Sequence, residues 1–216
     1  ILAHDLRTPL GAISGLAELI LRSTNSSRNV EFAAQISISA RRMAQMITDL
    51  IELTRVQLGS GISVNPSKTD MRHICVTTLA EMKAFYPERT FQLDAEEDLT
   101  GKWDEARISQ VLINLLGNAV QHGAPDSAIT VTAKKNENFL ELNVHNNGSL
   151  VPAELLPVLF DRFVQGKSGF RSDEGSTASL GLGLYIAKEI VLAHGGTIKV
   201  HSTDIKGTNF SVCLPL

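Results

Sequence analysis

Two stretches near the start of the chain repeat apolar residues in alternating steps of three and four. The first repeat consists of Ala3, Leu6, Leu10, Ile13, Ala17 and Ile20. The second repeat consists of Ile36, Ala40, Met43, Ile47 and Leu50. This spacing gives a helix one continuous apolar seam. Residues 22–29 between the repeats are polar and lack periodicity. The pattern therefore predicts two helices joined by a short turn as an antiparallel hairpin.

A single hairpin of this kind has too little apolar surface to be stable alone. We therefore expect two copies of the chain to form a homodimer, in which the hairpins make a four-helix bundle. The alternative is a hairpin that packs on a globular domain of its own chain. Gly59 and Gly61 are expected to end the second helix and to provide a hinge. We accordingly predict a hairpin domain over 1–58, a hinge over 59–65 and a globular domain over 66–216.

The globular part alternates helical and strand patterns. Helices are expected over 69–85, 104–122 and 180–194, and strands over 91–93, 129–133, 139–144, 197–201 and 209–214. Such a sequence of elements favours an α/β sandwich with helices on one face of a mixed sheet. The predicted fold class is therefore α+β, with an antiparallel helical hairpin followed by the sandwich.

Charge and composition argue against several functional classes. The net charge of −3 provides no basic surface for nucleic acid, so no nucleic-acid partner is expected. No apolar run approaches the ~20 residues that span a bilayer, and no signal peptide is recognisable. Cys75 and Cys213 are too few for a disulfide framework and favour a reducing, cytoplasmic compartment. Because Ile1 lies within one turn of the first motif, we expect a longer protein whose preceding part carries a sensor, with a membrane anchor only if that part is membrane-bound.

The first helix carries a reactive pattern that runs from His4 to Pro9. In the heptad register, His4 and Thr8 point away from the seam, one turn apart on the same outer face. Pro9 lacks a backbone N–H and clashes with the carbonyl of Asp5, so the helix should bend and leave the imidazole accessible. A neutral imidazole is a good nucleophile near pH 7 and can hold a phosphoryl group. Asp5 would orient the ring or accept its other proton, and Arg7 would neutralise an incoming phosphate.

The helix predicted over 104–122 carries carboxamides beside its apolar face. Asn114, Asn118 and Gln121 follow one another at spacings of four and three residues. Carboxamides in so apolar a helix are costly to bury without partners. A bound nucleotide and its metal ion would supply such partners. The alternative, a polar stripe that faces solvent, fits Asn114 better than Asn118.

A pair of glycines opens the helix predicted over 180–194. Gly181 and Gly183 would let the backbone approach phosphates, whose negative charge is favoured at a helix N-terminus. The preceding segment, 165–179, is rich in Gly, Ser and Thr. That composition fits both a disordered surface loop and a mobile lid over a bound nucleotide.

In order along nearly the whole chain, these segments resemble the motifs of two-component sensor histidine kinases. The matching segments are 4–10 (phosphoacceptor box), 107–119 (N box), 144–152 (G1 box), 160–163 (F box), 180–184 (G2 box) and 207–210 (closing strand). The resemblance implies a sandwich of the GHKL (Bergerat) type that binds ATP and Mg²⁺. It also implies a kinase that autophosphorylates His4 and passes the phosphoryl group to an aspartate of a response regulator. Thr8 would place the water that dephosphorylates that partner.

The resemblance assigns nucleotide contacts to individual positions. Asn118 corresponds to the magnesium ligand and offers one hard oxygen. Asn146 and Thr208 would hold adenine, whereas Phe160 and Phe163 would anchor the lid. The complete set of implied nucleotide-binding residues is Asn114, Asn118, Gln121, His122, Asn146, Gly148, Phe160, Phe163, Lys167, Arg171, Gly181, Leu182, Gly183, Leu184 and Thr208.

The chain departs from the usual motifs at Gln121, Asn146, Leu150, Gln165 and Ser179. Asn146 replaces an aspartate and would bind adenine without charge-assisted strength. Gln121 and Gln165 replace basic residues that are common in the family, and Lys167 and Arg171 could compensate for them. We therefore expect a working kinase with slow turnover or weak ATP binding.

Asn114 bears on the choice between a kinase and an ATPase. In related ATPases of the gyrase and Hsp90 type, a glutamate at this position activates water, and an asparagine cannot act as a general base. The site would therefore preserve ATP for transfer to His4. Two alternatives stay open: a drifted kinase-like core that acts mainly as phosphatase or scaffold, and a GHKL-type ATPase. His145 and Asn146 also resemble the pair found in phytochrome-type histidine kinases, which hints at the class of sensor.

Overall fold

A helical hairpin forms the first part of the molecule. The computed structural model describes residues 2–23, 25–57, 61–164 and 180–216, without the side chains of 2–7, 41 and 42. Helices α1 (Leu2–Arg22) and α2 (Ser26–Gln57) lie against each other. The side chain of Asn25 accepts a hydrogen bond from the backbone N–H of Arg28 at 3.2 Å and so caps the start of α2. The predicted hairpin is confirmed.

An α/β domain follows the hairpin. Its strands are β1 (Ser67–Asp70), β2 (Phe91–Ala95), β3 (Thr100–Trp103), β4 (Ile129–Lys135), β5 (Phe139–Asn146), β6 (Thr197–Thr203) and β7 (Gly207–Pro215). Its helices are α3 (Met71–Phe85), α4 (Glu105–His122) and α5 (Gly183–Ala193), with a short 3₁₀ helix at Leu156–Val158. Residues 58–60, which include part of the predicted hinge, lie outside the described residues. The domain boundaries at 58 and 66 remain predictions.

The main sheet has the strand order β2-β4-β5-β7-β6. Only β2 and β4 are parallel, and the other neighbours are antiparallel. Burial alternates along β4, β5 and β7, as expected for strands with one covered face. The buried residues, such as Val131, Leu142 and Val212, join the core formed with α3, α4 and α5. The predicted mixed sheet with helices packed on its apolar face is confirmed.

Two of the sequence-based element boundaries are wrong for identifiable reasons. The helix expected over 69–85 begins at Met71, because Ser67–Asp70 pair with Thr100–Trp103 as a small antiparallel sheet. The Asp70 side chain then accepts a hydrogen bond from the N–H of Arg72 at 2.9 Å and caps α3. The helix expected from residue 180 begins at Gly183, because Gly181 has a φ of 65°, which is outside the helical range.

The C-terminal half of α2 packs on the α/β domain. Met46 and Leu53 of α2 are buried in the same apolar cluster as the core of that domain. At this contact, the Glu52 carboxylate accepts a hydrogen bond from the Arg107 guanidinium of α4 at 3.0 Å. The C-terminal half of α2 therefore packs on its own chain, and the homodimer remains a prediction.

Both cysteines are free thiols. Cys75 lies fully buried in α3, and burial raises the pKa of its thiol to about 12, which keeps it protonated. Among the helices of the described residues, none is both long enough and apolar enough to cross a membrane.

Candidate active site

The edge of the main sheet brings Asn146 and Thr208 together. They stand directly opposite each other at the paired ends of β5 and β7. Only 2% of Asn146 and 4% of Thr208 is exposed. The hydrogen bond from Asn146 Nδ2 to the carbonyl of Asn147 is long at 3.5 Å, so a bound ligand could replace it. These are the two residues that the sequence assigned to adenine.

Thr208 is held in place by a residue that sequence reasoning missed. Its hydroxyl shares a 2.7 Å hydrogen bond with the hydroxyl of Ser202 on β6. Ser202 Oγ also accepts a hydrogen bond from the backbone N–H of Val151 at 3.0 Å. Ser202 thereby connects the closing strand to the segment after β5. No sequence motif marks this serine, because its role depends on the register of β6 against β7.

Two glycines let backbone segments approach this edge closely. A Cβ added to Gly148 would lie 2.3 Å from the carbonyl oxygen of His122, and one added to Gly207 would lie 2.4 Å from that of Asn146. Gly207 also has a φ of 67°, which disfavours other residues. These close backbone approaches beside Asn146 therefore require glycine at both positions.

On α4, the two predicted asparagines differ in their surroundings. Asn114 Nδ2 donates a hydrogen bond to the carbonyl of Gly183 at 2.9 Å, which ties α4 to the start of α5. Asn118 is half-buried one turn later, and its carboxamide has no hydrogen-bond partner within the described residues. A half-buried oxygen to which no described residue donates fits a ligand of Mg²⁺.

The last turn of α4 carries Gln121 and His122. The Gln121 side chain is exposed, whereas His122 is half-buried. Burial lowers the pKa of the His122 imidazole, which favours the neutral ring. The backbone carbonyl of His122 accepts a hydrogen bond from the N–H of Ser149 at 3.3 Å, so the end of α4 is joined to the segment after β5.

The start of α5 is suited to bind phosphate. Leu182, which precedes α5, provides no side-chain cap, so among the described residues the first N–H groups of the helix stay available to an anion. Leu182 is fully buried and Leu184 packs against the core, so a nucleotide would meet their backbone. A Cβ on Gly181 would lie 2.6 Å from the carbonyl oxygen of Val164. The glycine is therefore required for the close approach of these two segments.

The two F-box phenylalanines have different positions. Phe160 packs edge-on against Phe210 of β7, with ring centroids 6.2 Å apart. Phe163 is exposed and has a φ of 64°, which is unusual for an aromatic residue. Its N–H donates to the carbonyl of Gly181 at 3.0 Å. Lys167 and Arg171, like the departures at Gln165 and Ser179, lie outside the described residues.

The predicted phosphoacceptor residues lie on the first two turns of α1. His4, Asp5 and Arg7 belong to this helix, but their side chains are outside the described set. Thr8 is exposed, as its heptad position predicts, and Pro9 is buried inside the helix. The roles of these residues remain predictions.

Two family models match the chain. The model of the His Kinase A (phospho-acceptor) domain matches residues 1–59. The model described as histidine kinase-, DNA gyrase B- and HSP90-like ATPase matches residues 103–216. The first match separates this chain from gyrase-type and Hsp90-type ATPases, because it covers the hairpin with His4.

Individual relatives agree with these matches. The probable sensor histidine kinase TcrY of Mycobacterium tuberculosis is 34% identical over 216 residues, which is 99% of this chain and 44% of TcrY. The bacteriophytochrome of Pseudomonas aeruginosa is 33% identical over 204 residues, which is 94% of this chain and 27% of that protein. The chain therefore spans less than half the length of either relative.

Solved structures share the fold. The histidine kinase AdeS of Acinetobacter baumannii has a TM-score of 0.70 at 20% identity, and the match covers 98% of this chain and 97% of AdeS. The histidine kinase ThkA in complex with the response regulator protein TrrA has a TM-score of 0.68 at 22% identity, covering 99% of this chain and 59% of that one. The two family models, with relatives such as TcrY, show that the chain belongs to the family of two-component sensor histidine kinases.

Proposed function

We propose that this chain is the catalytic core of an ATP-dependent protein-histidine kinase. It would autophosphorylate His4 and pass the phosphoryl group to an aspartate of a response regulator. The observation that carries this proposal is that one chain combines the His4 box on α1 with the buried pair of Asn146 and Thr208 at the sheet edge and with Asn118 on α4. The family models matched over both parts support it.

Each part of the site has a distinct task in this proposal. Asn146 and Thr208 hold the adenine, and the Asn118 oxygen is the protein ligand of Mg²⁺. The uncapped N-terminus of α5 holds the phosphates. Asn114 supplies no general base, so attack by water is not promoted. When bound with Mg²⁺, ATP supplies the γ-phosphoryl group that a nitrogen of the His4 imidazole receives.

A homodimer is part of the proposal. Several large apolar side chains of the hairpin are exposed in the single chain: Leu10, Leu19, Val30, Ile38, Ile47 and Ile51. Apolar side chains concentrated on two packed helices indicate a contact surface. Hairpins from two chains, each spanning about 1–58, would cover these side chains as a four-helix bundle.

The proposed protein partner is a response regulator. Thr8 is exposed on the turn that follows His4, where a receiver domain that accepts the phosphoryl group could contact it. The complex of ThkA with TrrA supports a partner of this class. Sensor input and any phytochrome-like character would reside in parts of a longer protein.

The test is incubation of the chain with γ-labelled ATP and Mg²⁺, followed by acid treatment of the labelled protein. We expect acid-labile label on the unmodified chain and none on His4→Ala. Asn118→Ala should lose label because Mg²⁺-dependent ATP binding fails, although its His4 is intact. Label that persists on His4→Ala would contradict the assignment of His4. Rapid steady-state release of phosphate without label would instead support a GHKL-type ATPase.

A further inference from the structure

Arg89 lies between α3 and β2, and its guanidinium reaches the C-terminal end of α4. Nη1 donates a hydrogen bond to the carbonyl oxygen of Ala124 at 2.8 Å, and Nη2 donates to that of Ala119 at 3.5 Å. The Ala119 carbonyl also accepts the N–H of Gly123 at 2.8 Å, and carbonyl groups at a helix C-terminus carry partial negative charge, so a cation there is stabilising. Arg89 therefore closes the end of the helix that carries Asn118 and His122.

The same end of α4 is joined to the segment that follows Asn146. Gly123 and Gly148 form an isolated antiparallel bridge. The backbone N–H of Ala124 donates to the carbonyl of Asn147 at 2.6 Å. Ala124 thus bonds to Arg89 through its carbonyl and to the segment after β5 through its N–H.

Packing between the end of α4 and Arg89 leaves no room for a side chain at position 123. A Cβ added to Gly123 would lie 2.4 Å from the carbonyl oxygen of Ala119 and 2.8 Å from Arg89 Nη2. Within the described residues, Arg89 Nε is buried and has no hydrogen-bond partner. The two terminal nitrogens of the guanidinium are therefore the atoms that connect Arg89 to α4. A lysine has only one nitrogen and cannot span both carbonyl groups in this way.

We propose that Arg89 is a positioning residue for nucleotide binding. By holding the carbonyl groups of Ala119 and Ala124, it fixes Asn118 on α4 relative to Asn146 at the end of β5. It acts through the backbone of α4 and not by its own contact with the reacting atoms. This inference rests on the proposed function, because it assumes that Asn118 and Asn146 bind one nucleotide.

Arg72 offers a matched control. Its Nη1 also donates to two backbone carbonyl groups, those of Ala95 at 2.6 Å and Glu96 at 3.3 Å. These groups lie at the end of the sheet opposite Asn146. At one end of β4, Ile129 pairs with Asn146, and four residues later, Ala133 pairs with Ala95. Loss of Arg72 should therefore loosen the domain without moving the nucleotide edge.

The experiment compares the unmodified chain with Arg89→Ala, Arg89→Lys and Arg72→Ala. Three quantities are measured: the Kd of a non-hydrolysable ATP analogue with Mg²⁺ by calorimetry, KM and kcat for autophosphorylation, and Tm without nucleotide. We expect Arg89→Ala to raise Kd and KM about tenfold with kcat little changed, since positioning is lost before phosphoryl transfer. Arg89→Lys should fall between Arg89→Ala and the unmodified chain. Arg72→Ala should lower Tm and leave Kd and KM unchanged.

An unchanged Kd and KM in Arg89→Ala would overturn the inference. An equal rise in Arg72→Ala would also overturn it, because the effect would then be general loosening. If Arg89→Ala does not fold, Arg89→Lys decides: a KM raised above that of the unmodified chain supports the inference, and an unchanged KM contradicts it. Failure of the unmodified chain to bind the analogue would contradict the proposed function itself. That outcome is measured on the unmodified chain alone and is therefore distinct from a failure of the inference about Arg89.

Discussion

Glu52 of α2 and Arg107 of α4 form an ion pair with an N–O distance of 3.0 Å, although 6% of the Glu52 side chain and 19% of the Arg107 side chain are exposed. The second carboxylate oxygen of Glu52 is buried without a hydrogen-bond partner within the described residues. This pair links the hairpin directly to the helix that carries Asn118. A charged contact so far from solvent is sensitive to the loss of either partner.

We expect Glu52→Gln to lower the free energy of unfolding by roughly 3 kcal/mol, because it leaves the Arg107 charge buried without its counterion. Denaturant titration measures the change. Glu18→Gln is the matched control, because Glu18 and Arg22 form an exposed pair at 3.7 Å on α1. The control should cost less than about 1 kcal/mol. Equal losses in both variants would contradict the importance of burial.

Asp49 should make stability depend on pH. Burial raises the pKa of Asp49 above its ordinary 3.8; the hydrogen bond from Gln45 opposes this rise and the nearby Glu52 adds to it. At pH values between the ordinary pKa of Asp49 in the unfolded chain and its higher pKa in the folded protein, the folded protein keeps a proton that the unfolded chain has lost. The stability contributed by protonated Asp49 is therefore lost as pH rises through that interval.

Asp49→Asn tests this dependence, because a carboxamide stays neutral and can still accept the 2.8 Å hydrogen bond from Gln45. We expect the variant to be more stable than the unmodified chain at pH values above the interval and equally stable below it. Denaturant titrations at several pH values measure the difference. A variant that is less stable at neutral pH would show that the carboxylate makes a favourable contact.

Ile47 should mark the proposed dimer contact. In the single chain, 48% of Ile47 is exposed, so the hairpin fold itself should tolerate Ile47→Glu. In a four-helix bundle, the new charge would be buried without a partner at a large cost. Light scattering should therefore report a monomer.

Ile205→Glu is the control for this variant, because Ile205 is 94% exposed at the turn between β6 and β7. It should leave the dimer intact. A dimeric Ile47→Glu would place the contact elsewhere on the chain.

Thr8 should separate two activities of the core. Its hydroxyl is not needed for the His4 imidazole to accept a phosphoryl group, but it could align water against a phosphorylated aspartate of the partner. Thr8→Ala should keep autophosphorylation near that of the unmodified chain and slow dephosphorylation of the response regulator. The exposed position and the high helix propensity of alanine favour an intact helix. Equal loss of both rates would mean that Thr8 supports the helix beside Pro9.

The sequence predicted the elements with strong local signals. Asp104 precedes a long apolar period, and in the structure its side chain accepts from the N–H of Arg107 at 3.2 Å and caps α4. By contrast, β1 and β3 were missed, because Ser67–Asp70 and Thr100–Trp103 are short and polar and become strands only by pairing with each other. Local pattern cannot reveal a partner thirty residues away.

The candidate site shows the same division. The family pattern predicts Asn146 and Thr208 as adenine contacts, and the register of β5 against β7 places them opposite each other. The sequence does not predict Arg89 or Ser202. Arg89 bonds to the backbone carbonyl of Ala124, and Ser202 bonds to the hydroxyl of Thr208, and only the folded chain brings these groups together. The apolar seam predicted for α2 also omits Met46 and Leu53. These two residues are buried because they pack into the core of the α/β domain, which the pattern within the helix does not reveal.

The burial of Asn146 has a consequence for cellular acidification. A carboxylate with only 2% of its surface exposed would be prone to protonation, and its hydrogen-bonding character would change with the acidity of its surroundings. A carboxamide has no such equilibrium, so the proposed adenine contact stays the same donor and acceptor at every physiological pH. The chain would give up charge-assisted strength at this contact and gain an adenine contact that does not respond to the proton concentration.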